Sequence, residues 1–174
     1  MKQLIKKLEP LLKRNDVIDV IIFGSTAKGK IRPADVDIAL LVKEKNPDLK
    51  KKVKDLLPQA DVQILTFEDY SRSLFFTLLK EGYSIKHKKY IHTMYGTSPV
   101  KLYRYSLKSL TASKKVMFER GIKTISGLTR LSNRVVLVPI THSGEFEDFL
   151  RQWNLDIETE EYELVPFLRK EEIF

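Results

Sequence analysis

Two short apolar runs, Val17 to Phe23 and Ile38 to Val42, bracket a stretch of glycine, lysine and aspartate. Val20, Ile21, Ile22 and Phe23 are consecutive, so the first run predicts a strand covered on both faces. The second predicts another strand, Asp35 to Val42, and Ala60 to Thr66 a third, with Val62 and Ile64 on one side and Asp61 and Gln63 on the other. Between and around them the period changes to that of helices. Leu4, Ile5, Leu8, Leu11 and Leu12 predict an amphipathic helix over Met1 to Arg14, with Pro10 set to kink or shorten it. A second helix runs from Asn46 or Pro47 on Leu49, Val53, Leu56 and Leu57 until Pro58 stops it. A third spans residues 67 to 82 and carries Phe67, Tyr70 and Phe75, aromatics at the spacing of core residues rather than of a base-stacking surface. Tyr83 to His87 reads as a short strand.

Periodicity breaks at Thr93 to Pro99, and the boundary is placed there, giving a core over 1–92 and an accessory region over 93–174. In the accessory region Lys101, Arg104, Lys108 and Lys115 suit one face of a basic helix, with Tyr103 and Tyr105 interleaved. Residues 120–133 read as polar and loop-like, with Gly121 and Gly127, and with room for a short helix. Val135 to Val138 is a β-type run ended by Pro139, and Ser143 reads as the cap of a helix buried through Phe146, Phe149, Leu150 and Trp153. Ile157 to Phe167 is expected to return as a strand beside Val135 to Val138, which makes a strand–helix–strand unit.

The punctuation between the first two strands carries the chemistry. Asp35 and Asp37, two residues apart in extended chain, point the same way and repel when both are ionised unless a cation lies between them. A divalent metal answers that requirement. Upstream, Gly24 allows a close approach of backbone to a ligand, and Ser25 stands where a strand could turn into a short helix. Together these halves suggest a site for a metal and a triphosphate, with Lys28, Lys30 and Arg32 either adding positive charge near the phosphates or lying on the surface.

At these residues the chain resembles the nucleotidyltransferase superfamily of the DNA polymerase β type, whose pattern is Gly-Ser, about ten residues, then Asp-x-Asp or Asp-x-Glu. Here nine residues separate Ser25 from Asp35. The likeness covers residues 1–92 and is nearest to the minimal nucleotidyltransferases. Lys28 stands where many members carry Arg, and Ala34 where many carry Ser. The resemblance implies an α/β fold of the α+β type, a mixed, mostly antiparallel sheet with helices on one face, to which residues 93–174 add a small C-terminal α/β module. It also implies the third acid: Asp61, at the start of the next strand, joins Asp35 and Asp37 as a catalytic, metal-binding residue. Gly24, Ser25 and Lys28 become the nucleotide-binding residues, with the first two at the β and γ phosphates. The implied cofactor is Mg²⁺ or Mn²⁺, two ions about 3.5–4 Å apart in such sites, with a nucleoside triphosphate such as ATP as substrate. Asp48 and Asp69 compete for the third place, but both sit at helix starts, where capping and the helix dipole account for an acid.

Composition bears on the acceptor. The formal net charge of +8 is uneven: residues 1–92 carry 19 basic and 12 acidic side chains, residues 93–144 carry 9 and 1, and residues 145–174 carry 3 and 10. A basic middle segment suits RNA or another polyanion, unless the acidic tail folds over it. A partner protein modified as in an antitoxin-type enzyme is the alternative acceptor, and a catalytically silent nucleotide- or nucleic-acid-binding protein the alternative to an enzyme. The chain has no cysteine, which excludes disulfides, thiolate metal sites and a cysteine nucleophile. With no long apolar run and lysines interrupting the N-terminal segment, a cytoplasmic protein without a membrane span is expected.

Overall fold

The computed structural model describes residues 1–153 and 162–164 of the chain, which divides into two units. The first comprises residues 1–27 and 32–96, the second residues 28–31 and Thr97 onward.

The first unit is a five-stranded sheet built on β1 (Val17–Phe23). Before it, the amphipathic N-terminal segment is split: α1 (Lys2–Leu8) gives way to a tighter 3₁₀ turn over Glu9–Lys13, with Pro10 in the first turn of the latter. Proline has no N–H to continue an α-helix but is tolerated where a new turn begins. After β1 come a single turn of helix, α2 (Gly24–Ala27), and β2 (Val36–Val42), antiparallel to β1 with Ile22 opposite Ile38 and Phe23 opposite Asp37. Next, α3 (Pro47–Leu56) is capped by Asn46, whose side chain accepts the Asp48 N–H at 3.0 Å. It forms the crossover that parallel strands require, and β3 (Ala60–Leu65) then pairs in parallel with β2. A 3₁₀ turn over Phe67–Ser71 and α4 (Ser73–Glu81) lead to the two-residue strands β4 (Tyr83–Ser84) and β5 (Lys89–Tyr90), followed by the short α5 (Ile91–Met94). The strand order is β3-β2-β1-β4-β5, and β2 with β3 is the one parallel pair in it.

Helices cover both faces of this sheet, not one. Val20, Ile22, Ile38 and Leu40 meet Leu8, Leu49 and Val53 on one side; Ile21, Phe23, Ala39 and Leu65 meet Leu78 and Ile91 on the other. The consecutive apolar residues Val20 to Phe23 of β1 require this, since each face of such a strand must be taken out of water. Leu78 is buried and Phe75 partly so, while Phe67 remains 63% exposed.

The second unit holds β6 (Val100–Arg104), α6 (Ala112–Ile122), β7 (Thr129–Ser132), β8 (Val135–Pro139), α7 (Ser143–Gln152) and β9 (Tyr162–Leu164). Its sheet is antiparallel throughout, ordered β7-β8-β6-β9. Tyr103, Phe118, Val136, Val138 and Phe146 form its core, with the Tyr103 and Phe146 rings 4.8 Å apart edge to face.

Three further expectations differ from the structure. The basic helix does not begin at Lys101: Val100–Arg104 is a strand, with Lys101 and Tyr103 inward. Its period of two was masked because one inward residue is a lysine, whose ammonium reaches Glu147 at 3.5 Å. The last strand pairs with β6 rather than β8, because β8 already has a neighbour on either side; residues 157–161 and 165–167 of that expectation lie outside the described residues. Ser143 is the first helical residue of α7 rather than its cap, and its hydroxyl donates to the Ile140 carbonyl at 2.9 Å. No described helix is long and apolar enough to cross a membrane.

Candidate active site

In β1 the chain runs apolar to Phe23 and then reverses at Gly24, where φ is +65°. Side chains rarely tolerate that conformation. Space forbids one as well: a Cβ on Gly24 would lie 1.9 Å from Oδ2 of Asp37. The carboxylate of Asp37 therefore rests where any other residue would place its side chain. The Gly24 amide is engaged too, donating to Oε1 of Glu81 at 3.1 Å, so this glycine acts by having no side chain rather than by offering its N–H to a ligand.

Asp37 lies opposite Phe23 on one side and level with Asp61 on the other, as register partners on the parallel strands β2 and β3. Level residues in neighbouring strands project from the same face, so Asp37 and Asp61 share a side of the sheet. Asp37 is half-buried and Asp61 exposed, the latter accepting a long hydrogen bond from Gln63 Nε2 at 3.4 Å. Asp35 stands one residue before β2, exposed, with its carbonyl accepting from the Thr26 hydroxyl at 3.4 Å. Ser25 is half-buried in α2, whose last residue is tied down where its carbonyl accepts the Tyr90 hydroxyl at 2.8 Å. Lys28 belongs to the second unit, where its carbonyl accepts the Gly144 N–H at 3.0 Å. Among the described residues no three His, Asp or Glu side chains are gathered as a ready-made metal group; Asp37 and Asp61 are the pair that the register aligns.

Asp48 lies in the first turn of α3, where the helix dipole favours an acid, while Asn46 is the cap, and Asp69 completes the capping box of the 3₁₀ turn with Thr66. Asp69 accepts the Thr66 N–H at 2.9 Å and the Lys45 ammonium at 3.0 Å. Those two contacts, the backbone N–H first, hold its carboxyl down to about 2. His92 is buried, with Nδ1 2.9 Å from the Lys80 carbonyl, and burial lowers its pKa; it is a structural histidine. Glu81 was missed. A buried carboxylate in the last turn of α4 sits at the end of a helix where the dipole disfavours it, and that misplacement was the available signal.

These positions fall within a match to a known family. The family model described as "Polymerase beta, Nucleotidyltransferase" matches residues 6–91. No curated protein matches the chain. The matched stretch takes in Gly24, Ser25, Asp35, Asp37, Asp61 and Glu81, and over residues 6–91 the chain carries a nucleotidyltransferase segment of the polymerase β superfamily.

Proposed function

We propose that this chain transfers a nucleotidyl group from a nucleoside triphosphate, ATP among them, to an acceptor hydroxyl. The observation that supports it most strongly is the placing of Asp37 level with Asp61, at the end of the sheet where Gly24 makes room for Asp37. Carboxylate oxygens are hard donors of the kind Mg²⁺ or Mn²⁺ takes, and Mg²⁺ is usually held by one or two carboxylates together with substrate phosphates rather than by an all-protein cage. The donor set thus fits, with Asp37 and Asp61 as the holding pair and Asp35 beside the entry to β2. When bound, such a cation neutralises phosphate charge and polarises the phosphorus under attack.

The residues of the chain do the rest. Gly24 keeps the backbone thin beside Asp37, and the Ser25 hydroxyl donates to a phosphate oxygen. Asp61, the exposed carboxylate, faces the acceptor and takes the proton of its hydroxyl. The acceptor oxygen bonds to the α-phosphorus as the bond to the bridging oxygen breaks, and pyrophosphate leaves with the electron pair. Glu81 acts through Gly24, holding the turn by its amide.

The test is acceptor-dependent release of pyrophosphate by the wild type and by Asp37→Asn and Asp61→Asn, each checked for an unchanged melting temperature. Each variant is expected to lose on the order of 10²-fold or more in rate. Undiminished release by both would remove the proposal. Running the assay with RNA and with protein as separate acceptor pools names the acceptor class.

A further inference from the structure

In the second unit, the loop after β6, the outer side of α6 and the β7–β8 hairpin enclose an open cleft of about 420 Å³, lined by Leu107, Lys108, Lys115, Glu119, Arg130, Asn133 and Arg134. Four of these seven are cationic, and they come from three segments of the chain. Arg130 is fixed: its guanidinium forks onto Glu119, with Nη2 to Oε1 at 2.8 Å, while Nε donates to the Ser132 carbonyl at 3.1 Å. That fork uses the one acid found between residues 93 and 144. Lys108, Lys115 and Arg134 are exposed, and none makes an ion pair with a described residue. Behind the pair, Tyr105 is 1% exposed, feels the charges of both Arg130 and Glu119, and carries a hydroxyl without a hydrogen-bond partner among the described residues.

A solvated surface disperses its cations among acids. Here cations and an amide converge on a concave surface, and unmet donors are what phosphate oxygens accept from. The cleft is open and its cations come from separate segments, which suits a chain of phosphates better than a single anion. A groove of this kind tracks one strand; a duplex presents a convex rod. Leu131, on the same hairpin, is 55% exposed and offers an apolar surface to a splayed base.

We infer that this cleft binds the phosphate backbone of a single-stranded polynucleotide, independently of the transfer chemistry in the first unit. The test is fluorescence anisotropy of the full chain with a labelled single-stranded oligoribonucleotide over a range of salt. Two charge-matched variants are compared: Lys115→Gln/Arg134→Gln in the cleft and Lys51→Gln/Lys52→Gln on the exposed side of α3. All four side chains are exposed, so both variants are expected to melt as the wild type does. The cleft variant is expected to bind about tenfold more weakly, and its log–log salt slope to fall by about 1.4, the value for two lost phosphate contacts on a single strand. The α3 variant is expected to stay within about twofold. Equal weakening in both would make the effect one of bulk charge and overturn the inference, as would wild-type binding by the cleft variant. Equal affinity for duplex RNA, or displacement by polyglutamate as effective as by RNA, would also overturn it.

Discussion

Gly24 and Asp37 form a matched pair, in which the carboxylate at 37 leaves no room for a side chain at 24. An alanine at position 24 must take a left-handed conformation that costs roughly 1–2 kcal/mol and must also push aside a carboxylate 1.9 Å from its Cβ. Gly24→Ala is therefore expected to lower the melting temperature and to abolish acceptor-dependent transfer; unchanged melting would show that the turn relaxes without strain. Asp69 yields a prediction about pH. Its carboxyl, held at about 2 against an ordinary value near 3.9, stabilises the fold fully above the ordinary value and loses that effect as pH falls through about 2. Asp69→Asn is expected to melt lower than the wild type at pH 7, and the gap to close between about pH 4 and pH 2. A gap independent of pH would assign the effect to shape instead of charge. The need for a glycine at position 24 was legible in sequence, because a close approach at the end of a strand carries its own physics. Glu81 was not, since its role depends on an amide 57 positions away.

At the scale of elements, the clearest signals were those that one face or one run could carry alone. The strands β1, β2 and β3 and the helix α3 emerge close to the expected bounds, because uninterrupted apolar runs and a capped amphipathic stripe need no outside information. β6 was hidden by a lysine buried through its partner Glu147, and β7 by having all four residues exposed. A strand exposed on both faces has no hydrophobic pattern to read. The helix α7 shows what a buried stripe contributes: Phe146 is fully buried against Tyr103, so Phe146→Ala is expected to cost about 3–5 kcal/mol in denaturant unfolding. Met117→Ala, at a residue of α6 that is 60% exposed, is expected to change stability by no more than about 0.5 kcal/mol. Similar losses in the two variants would contradict the core assigned to this unit.

For the whole molecule, the family match ends at residue 91, and the excess of basic side chains between residues 93 and 144 lies beyond it. The sequence points to transfer chemistry in the first part and carries a basic segment in the second. What it could not supply was the assembly of the basic cleft, because Lys115 on α6 and Arg130 and Arg134 on the β7–β8 hairpin meet through tertiary packing rather than along one helix. Which bond of the triphosphate is broken can be read directly by label transfer. The chain is incubated with Mg²⁺, a cell-extract acceptor pool and nucleoside triphosphate labelled at either the α or the γ phosphate, beside the Asp37→Asn/Asp61→Asn variant. Nucleotidyl transfer predicts acceptor label from the α position only, γ label recovered in pyrophosphate, and neither with the variant. Acceptor label from the γ position, or α label that survives in the variant, would contradict it.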